Sequence, residues 1–139
     1  MNPNQIHLVQ ASFARVQPIA AQAAALFYGR LFELDPSLRA LFRNDLEKQG
    51  QMLMSMIGGA VRGLRQPAQL VPTLRQLGAR HADYGVTDAH YATVGGALLW
   101  TLEQGLGEAF TQEVREAWAA AYDLLAGAMK GGARETVAV

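Results

Sequence analysis

The sequence contains no cysteine, and this absence excludes several kinds of chemistry. Disulfides, thiolate metal sites, thiol catalysis and cofactors attached through cysteine all require that side chain. A chain without cysteine is compatible with a reducing compartment. Residues 1–10 lack a cationic segment followed by an apolar run, and no stretch approaches the roughly 20 apolar residues of a membrane span. We therefore expect a soluble cytoplasmic protein with no signal peptide and no membrane as partner.

An excess of either charge is also missing. The chain has 12 Lys and Arg residues and 12 Asp and Glu residues. This balance gives no electrostatic reason to expect a nucleic acid as partner. Hydrophobic residues make up 50% of the sequence and charged residues 17%, which is typical of a folded chain rather than a disordered one. At 139 residues, the sequence predicts a single domain spanning 1–139.

No segment alternates between apolar and polar residues as a half-buried strand does, so we expect no sheet. Apolar residues instead recur at spacings of three and four, which is the helical period. The sequence predicts an all-α fold of six or seven helices with short connections. The expected breaks are at Pro18, Asp35-Pro36, Asn44-Asp45, Pro67, Tyr84-Gly85, Gly107 and Gly131-Gly132. Such uneven helix lengths favour steep helix crossings over a regular four-helix bundle.

Most familiar motifs of catalysis and metal binding are missing. There is no Gly-rich phosphate-binding loop after a strand, no His-x-x-x-His or Glu-x-x-His pair, and no Gly-x-Ser-x-Gly elbow. The chain has three histidines, His7, His81 and His90. We expect His7 to be solvated on the first helix and His90 to lie in the first turn of a later helix, with no direct role for either.

His81 differs from the other two because it continues the apolar stripe of a predicted helix. The series Leu70, Leu74, Leu77 and His81 has spacings of four, three and four, which places the imidazole on the face expected to be buried. Two interpretations are open from the residues alone. One is a core histidine with partners for both ring nitrogens. The other is an axial ligand of a haem iron, in which one nitrogen binds the metal and the other donates a hydrogen bond.

The segment that contains His81 resembles the proximal side of a known family. Residues 77–86, His90-Tyr91 and Val94-Gly95 follow the pattern His-x-x-x-Gly-Val-x-x-x-His-Tyr-x-x-Val-Gly. This pattern is similar to that of the single-domain bacterial haemoglobins and the haem domain of flavohaemoglobins. Further segments that match in order and spacing are Phe27-Tyr28, Leu31-Phe32, Leu41-Phe42, Ala117-Trp118 and Ala121-Tyr122. The resemblance covers nearly the whole chain.

The resemblance implies a globin fold around haem b (iron protoporphyrin IX) with His81 as the metal ligand. On the opposite side of the haem, Tyr28 and Gln49 would form a polar pair that donates hydrogen bonds to the partial negative charge of a bound ligand. The other implied haem contacts are Phe42, Leu53, Leu77 and Tyr91. Without the resemblance, Tyr28 would be interpreted as the edge of the core and Gln49 as part of a solvated helix start.

The same resemblance implies a function. It predicts the binding of O2, NO and CO at a five-coordinate ferrous iron, in a monomer or a homodimer. Conversion of NO to nitrate is a secondary expectation, and whether the chain is an enzyme stays open. Because the chain ends at Val139 with no flavin reductase domain, that reaction would need an external electron donor. Two alternatives are a haem-based gas sensor and a haem-free globin-like interaction module.

One position departs from the family pattern. The family carries a glutamate late in the last helix, close to the proximal histidine and tyrosine. Here Gly132-Ala133 stand at about that place, and Glu135 is near in sequence but out of register. The departure argues against a strongly activated, peroxidase-like iron.

Overall fold

The helical periodicity of the sequence corresponds to six α-helices in a computed structural model that describes residues 1–42 and 45–138, with only the backbone for residues 134–138. The helices are α1 (Pro3–Val16), α2 (Ala20–Leu34), α3 (Leu46–Gly63), α4 (Pro67–Asp83), α5 (Asp88–Leu106) and α6 (Gln112–Ala138). Short 3-10 helices lie at Gln17–Ile19, Pro36–Leu41 and Gly107–Ala109. The described residues contain no strand, so the predicted all-α class is confirmed. None of the described helices has the length and apolar character needed to cross a membrane.

Short polar side chains begin several helices at the predicted places. Asp35 accepts a hydrogen bond from the backbone N–H of Ser37 at 3.1 Å, although the segment that follows is a 3-10 helix rather than an α-helix. Thr111 accepts from the N–H of Val114 at 3.2 Å. Each bond satisfies a backbone donor that the first turn of a helix leaves unpaired.

Glycines with positive φ follow two of the helices. Gly85 has a φ of 93° after α4, and Gly107 has a φ of 56° after α5, where the sequence predicts helix ends. A residue with a Cβ atom rarely adopts these values, so glycine suits both turns. The sequence also predicts a helix break at Asn44-Asp45. Asn44 lies outside the described residues. Asp45 caps α3, because its carboxylate accepts a hydrogen bond of 2.9 Å from the backbone N–H of Glu47.

The indole of Trp118 joins the last helix to the first. Trp118 of α6 is 2% exposed, and its ring centroid lies 6.3 Å from that of Phe13 in α1. The indole N–H donates to the hydroxyl oxygen of Ser12 at 2.8 Å, and that hydroxyl donates to the carbonyl oxygen of Leu8 at 2.6 Å. Since a buried N–H without a partner is costly, these two bonds let the largest side chain of the core be fully enclosed.

Two glycines allow α4 and α6 to approach each other backbone to backbone. A Cβ atom built on Gly78 of α4 would overlap the carbonyl oxygen of Met129, and one built on Gly132 of α6 would overlap the carbonyl oxygen of Arg75. No side chain therefore fits at either position. The contact holds α4 in place along its second half, which is the part that carries His81.

The predicted end of the last helix at Gly131-Gly132 was wrong. Helix α6 continues through both glycines to Ala138. Glycine weakens a helix interior by roughly 1 kcal/mol relative to alanine, but this cost is local. Here Gly132 lies against the backbone of Arg75, so the residue serves close helix packing rather than helix termination.

Replacing Gly78 by alanine is expected to destabilise the protein, although alanine is the better helix former. Overpacking typically costs about 1–3 kcal/mol. Rigid backbone stands where the methyl group would lie, so we expect a cost near the upper end and a net loss of about 2 kcal/mol after the gain in helix propensity. Urea denaturation measures this loss as a lower free energy of unfolding.

The matched control is Gly127→Ala on α6, where the added atom meets open space. This variant should be neutral or more stable by up to about 1 kcal/mol. Equal free energies of unfolding for the two variants would show that α4 and α6 do not meet at Gly78.

Candidate functional site

The imidazole of His81 is oriented by its own helix. Its Nδ1 atom lies 2.8 Å from the carbonyl oxygen of Leu77, one turn earlier in α4. A carbonyl oxygen only accepts, so Nδ1 is the nitrogen that donates in this bond. No described residue forms a hydrogen bond with Nε2. The bond fixes the orientation of the ring and leaves Nε2 as the nitrogen that can bind a metal ion.

The stripe that ends at His81 is buried only in its first half. Leu70 and Leu74 are 9% and 4% exposed, whereas Leu77 and His81 are both partly exposed. Helix α3 approaches α4 where Gly63 packs against Leu70, at the buried end of the stripe. The second half of the stripe is only partly covered by the rest of the described chain.

Helix α3 also carries a largely apolar face that is only partly covered. Gln49, Met52, Leu53 and Met56 follow one another at helical spacing, in line with Gly63 at the joint. Met52 is 66% exposed, and the other three side chains are partly exposed. We call the region between this face and the Leu77–His81 segment the α3–α4 cleft. Two apolar faces that both remain partly uncovered fit a flat, apolar cofactor between them.

The interior holds a separate cavity that is far smaller than such a cofactor. Its volume is about 20 Å³, and its lining includes Phe27, Leu53, Met54, Leu98 and Trp118. A void of this size holds little more than one water-sized molecule. This cavity is therefore too small to hold a porphyrin.

Tyr28 lies in an aromatic cluster beside the start of α3. Its ring is 6% exposed, with centroids 5.2 Å from Phe27, 5.3 Å from Phe42 and 6.1 Å from Phe32. Burial raises the pKa of Tyr28 from 10.0 to about 12. The phenol is therefore neutral at physiological pH and available as a hydrogen-bond donor.

Gly50 brings the first turn of α3 against α2. A Cβ atom built on Gly50 would lie 2.8 Å from the Cβ of Ala24 and 3.8 Å from Cε2 of Tyr28. Gln49 is the neighbour of Gly50, so its backbone lies at the Tyr28 end of the cleft. No hydrogen bond joins the side chains of Tyr28 and Gln49 in the described structure. The fold thus brings Tyr28, Phe42 and the Gln49 segment together at one end of the cleft.

Tyr91 belongs to a second tyrosine pair, on the α5–α6 side. It is 8% exposed, and its backbone oxygen accepts a hydrogen bond of 2.5 Å from the hydroxyl of Tyr122. The Tyr122 ring lies over Gly95, where a Cβ atom would come within 2.7 Å of it. Burial raises the pKa of both phenols, and the charge of Asp88 raises that of Tyr91 further. Both rings therefore stay neutral at physiological pH.

The sequence did not predict the surroundings of Tyr91. The side-chain ammonium nitrogen of Lys130 lies 5.5 Å from the centroid of the Tyr91 ring. The available signal was weak: Lys130 stands eight residues after Tyr122, which places both on one face of α6. Which partner that face meets depends on how α5 and α6 cross.

The remaining candidate residues lie elsewhere. Nδ1 of His90 accepts a hydrogen bond of 3.0 Å from the backbone N–H of Thr87, so this histidine helps to cap α5. His7 is exposed on α1, as expected. The side chain of Glu135 lies outside the described residues, and Ala133 is partly buried.

Comparison with known proteins identifies the family. The model of the family described as Globin matches residues 25–129. The chain belongs to the globin family. A solved structure agrees: an engineered carbene transferase, made from a candidate nitric oxide dioxygenase of Rhodothermus marinus, has a TM-score of 0.89 and 29% sequence identity. The match covers 99% of this chain and 96% of that chain, and the predicted globin fold is confirmed.

Curated relatives of this globin include flavohemoproteins. That of Bordetella parapertussis is 32% identical over 137 residues, which is 96% of this chain and 34% of the relative. That of Chromobacterium violaceum is 33% identical over 128 residues, which is 89% of this chain and 31% of the relative. The chain thus spans about a third of the length of the curated relatives that it matches.

The buried phenol of Tyr28 predicts a loss of stability at alkaline pH. Its pKa in the folded chain is about 12, against 10.0 ordinarily, so the unfolded chain releases this proton first. The free energy of unfolding therefore falls as the pH rises from about 10 to about 12. Tyr28→Phe keeps the aromatic ring but has no ionisable hydroxyl. In this variant the fall in the free energy of unfolding over the same pH range should be smaller by on the order of 2 kcal/mol.

Urea denaturation of both proteins between pH 8 and about pH 12 tests this linkage. The raised pKa values of Tyr91 and Tyr122 also lower the free energy of unfolding at alkaline pH, but both residues are present in both proteins. The difference between the two pH profiles therefore reports Tyr28 alone. Parallel curves across the whole range would contradict the burial of the Tyr28 hydroxyl.

Proposed function

We propose that this globin binds haem b in the α3–α4 cleft with His81 as the iron ligand, and that it binds dioxygen and other diatomic gases on the opposite side of the haem. The observation that carries the proposal is the hydrogen bond from Nδ1 of His81 to the Leu77 carbonyl oxygen. This bond leaves Nε2 free at a cleft with two apolar faces. A non-covalent haem is expected because the chain has no cysteine for attachment.

The haem supplies the iron that binds the gas and exchanges electrons. The chain supplies an apolar enclosure. Leu77 would contact the haem from the His81 helix, and Leu53 and Phe42 would contact it from the α3 end of the cleft. These side chains keep water from the iron, which favours reversible gas binding over oxidation.

Tyr28 and Gln49 act as hydrogen-bond donors on the gas side. Burial keeps the phenol of Tyr28 protonated, so it donates rather than repels a ligand that gains partial negative charge. The Phe27, Phe32 and Phe42 rings hold the Tyr28 ring in place. Gln49 lies at the start of α3 and is partly exposed, so its amide moves more freely than the phenol.

Conversion of NO to nitrate is a second activity of the same site. The flavohemoprotein relatives and the Rhodothermus marinus neighbour support it by likeness. The reaction NO + O2 + e⁻ → NO3⁻ consumes one electron per turnover. The globin region matches only about a third of the relatives' length, and we assign the supply of that electron to a donor outside the globin domain.

Replacing His81 by alanine is expected to abolish stable haem binding. Titration of the purified protein with haemin, followed by reduction and addition of CO, should give an intense Soret band that shifts with CO in the wild type. The band should be lost in His81→Ala and kept in His7→Ala, since His7 is exposed on α1.

Two results would overturn this assignment. A wild-type chain that takes up no haem would favour a haem-free interaction module. Equal haem uptake by the wild type and by His81→Ala would assign the iron to another ligand. A gas sensor would be indicated instead if the haem protein bound a partner chain only in one ligand state.

Mixing the reduced, dioxygen-equilibrated protein with NO tests the second activity. We expect one nitrate per haem and a ferric spectrum within the mixing time. Tyr28→Phe should lose dioxygen about tenfold faster, because the loss of one donor to a charged ligand costs about 1.5 kcal/mol or more. An unchanged spectrum after addition of NO, with no nitrate formed, would exclude NO conversion while leaving gas binding intact.

A further inference from the structure

Lys130 places a positive charge against Tyr91. The side chain is partly buried on α6, and its nitrogen lies 5.5 Å from the centroid of the Tyr91 ring. This distance is within the range of a cation–π interaction. No described carboxylate forms an ion pair with Lys130. The nearest opposite charge that the contacts of Tyr91 reveal is Asp88, which acts on the phenol without forming an ion pair with Lys130.

The position of this charge is held by the surrounding helices. Tyr91 is fixed to α6 by the hydrogen bond that its backbone oxygen accepts from Tyr122. Met129, the neighbour of Lys130, touches the backbone of Gly78 in α4. Gly78 stands three residues before His81, on the same side of that helix. Lys130 thus lies on the turn of α6 that packs against the His81 end of α4.

We propose that Lys130 is a positioning residue whose fixed charge, acting across Tyr91, favours the ferrous over the ferric form of a haem iron held by His81. The inference rests on the proposed haem function. Reduction of the iron adds one negative charge to the site. A cation held nearby in a partly desolvated position stabilises that extra charge, and few solvent molecules screen it.

The consequence concerns what the site does with its ligand. A globin that stays ferrous binds dioxygen repeatedly, whereas one that is easily oxidised loses that capacity after each oxidation. Lys130 would therefore bias the site towards reversible binding and reduce its dependence on an electron donor. The phenol of Tyr91 stays neutral, because burial and Asp88 both raise its pKa, and so does not cancel the charge of Lys130.

The midpoint potential of the iron, measured by spectroelectrochemistry on the haem-loaded protein, tests the proposal. Lys130→Met keeps a long apolar side chain and removes the charge. We expect the ferrous-to-ferric ratio at a fixed applied potential to fall about tenfold, which is 59 mV for one electron. Lys130→Arg keeps the charge and should stay within about twofold of the wild type.

Arg115→Met is the matched control. Arg115 also covers an aromatic ring from α6, with its guanidinium carbon 5.8 Å from the centroid of Phe110. It lies about 22 Å away along the helix axis at 1.5 Å per residue. Its removal should leave the potential unchanged, so a shift confined to Lys130→Met reports the position of the charge rather than any loss of a surface cation.

The outcomes separate this inference from the proposed function. Haem uptake is measured first, and a wild type without haem overturns both. A haem-loaded Lys130→Met with a wild-type Soret band and an unchanged potential overturns only the role of Lys130. An equal fall in Lys130→Arg would do the same, since it would point to packing rather than charge. If Lys130→Met does not fold, Lys130→Gln decides by the same criteria.

Discussion

The backbone contact between α4 and α6 at Gly78 and Gly132 is the constraint on which the site depends. It holds the second half of α4 against the last helix, and α3 approaches the first half of α4 where Gly63 packs against Leu70. The Leu77–His81 segment stays partly exposed. A bulkier residue at either glycine would move α4 and with it the imidazole of His81.

Two sets of aromatic residues differ in what surrounds their phenols. Tyr28 is enclosed by Phe27, Phe32 and Phe42, and its burial keeps a neutral hydrogen-bond donor in place. Tyr91 instead contacts the Lys130 cation, and its backbone oxygen accepts a hydrogen bond from Tyr122. The proposed haem function assigns the first set to the gas side and the second to the His81 side.

Much of this architecture is local and could be predicted from the sequence. Local residue chemistry explains the helix ends before Gly85 and Gly107. It also explains the N-terminal caps that Asp35 and Thr111 provide. The alignment of His81 with Leu77 also follows from helical spacing, and so does the hydrogen bond between them, since both residues lie on one helix. The roles proposed for Tyr28 and Gln49 rest on the family resemblance, because neither residue stands out within its own segment.

The sequence determined where most helices begin and end and which residues share a helix face, because those features depend on interactions within a few residues. The predicted helix end at Gly131-Gly132 was wrong, because a glycine pair can either end a helix or allow a second helix to pack closely against it. Only the position of the neighbouring helix distinguishes the two cases. The tertiary structure decided three features of the candidate site: the partial exposure of His81, the enclosure of Tyr28 and the contact between Lys130 and Tyr91. Each depends on how helices distant in the chain cross, and no local pattern encodes those crossings.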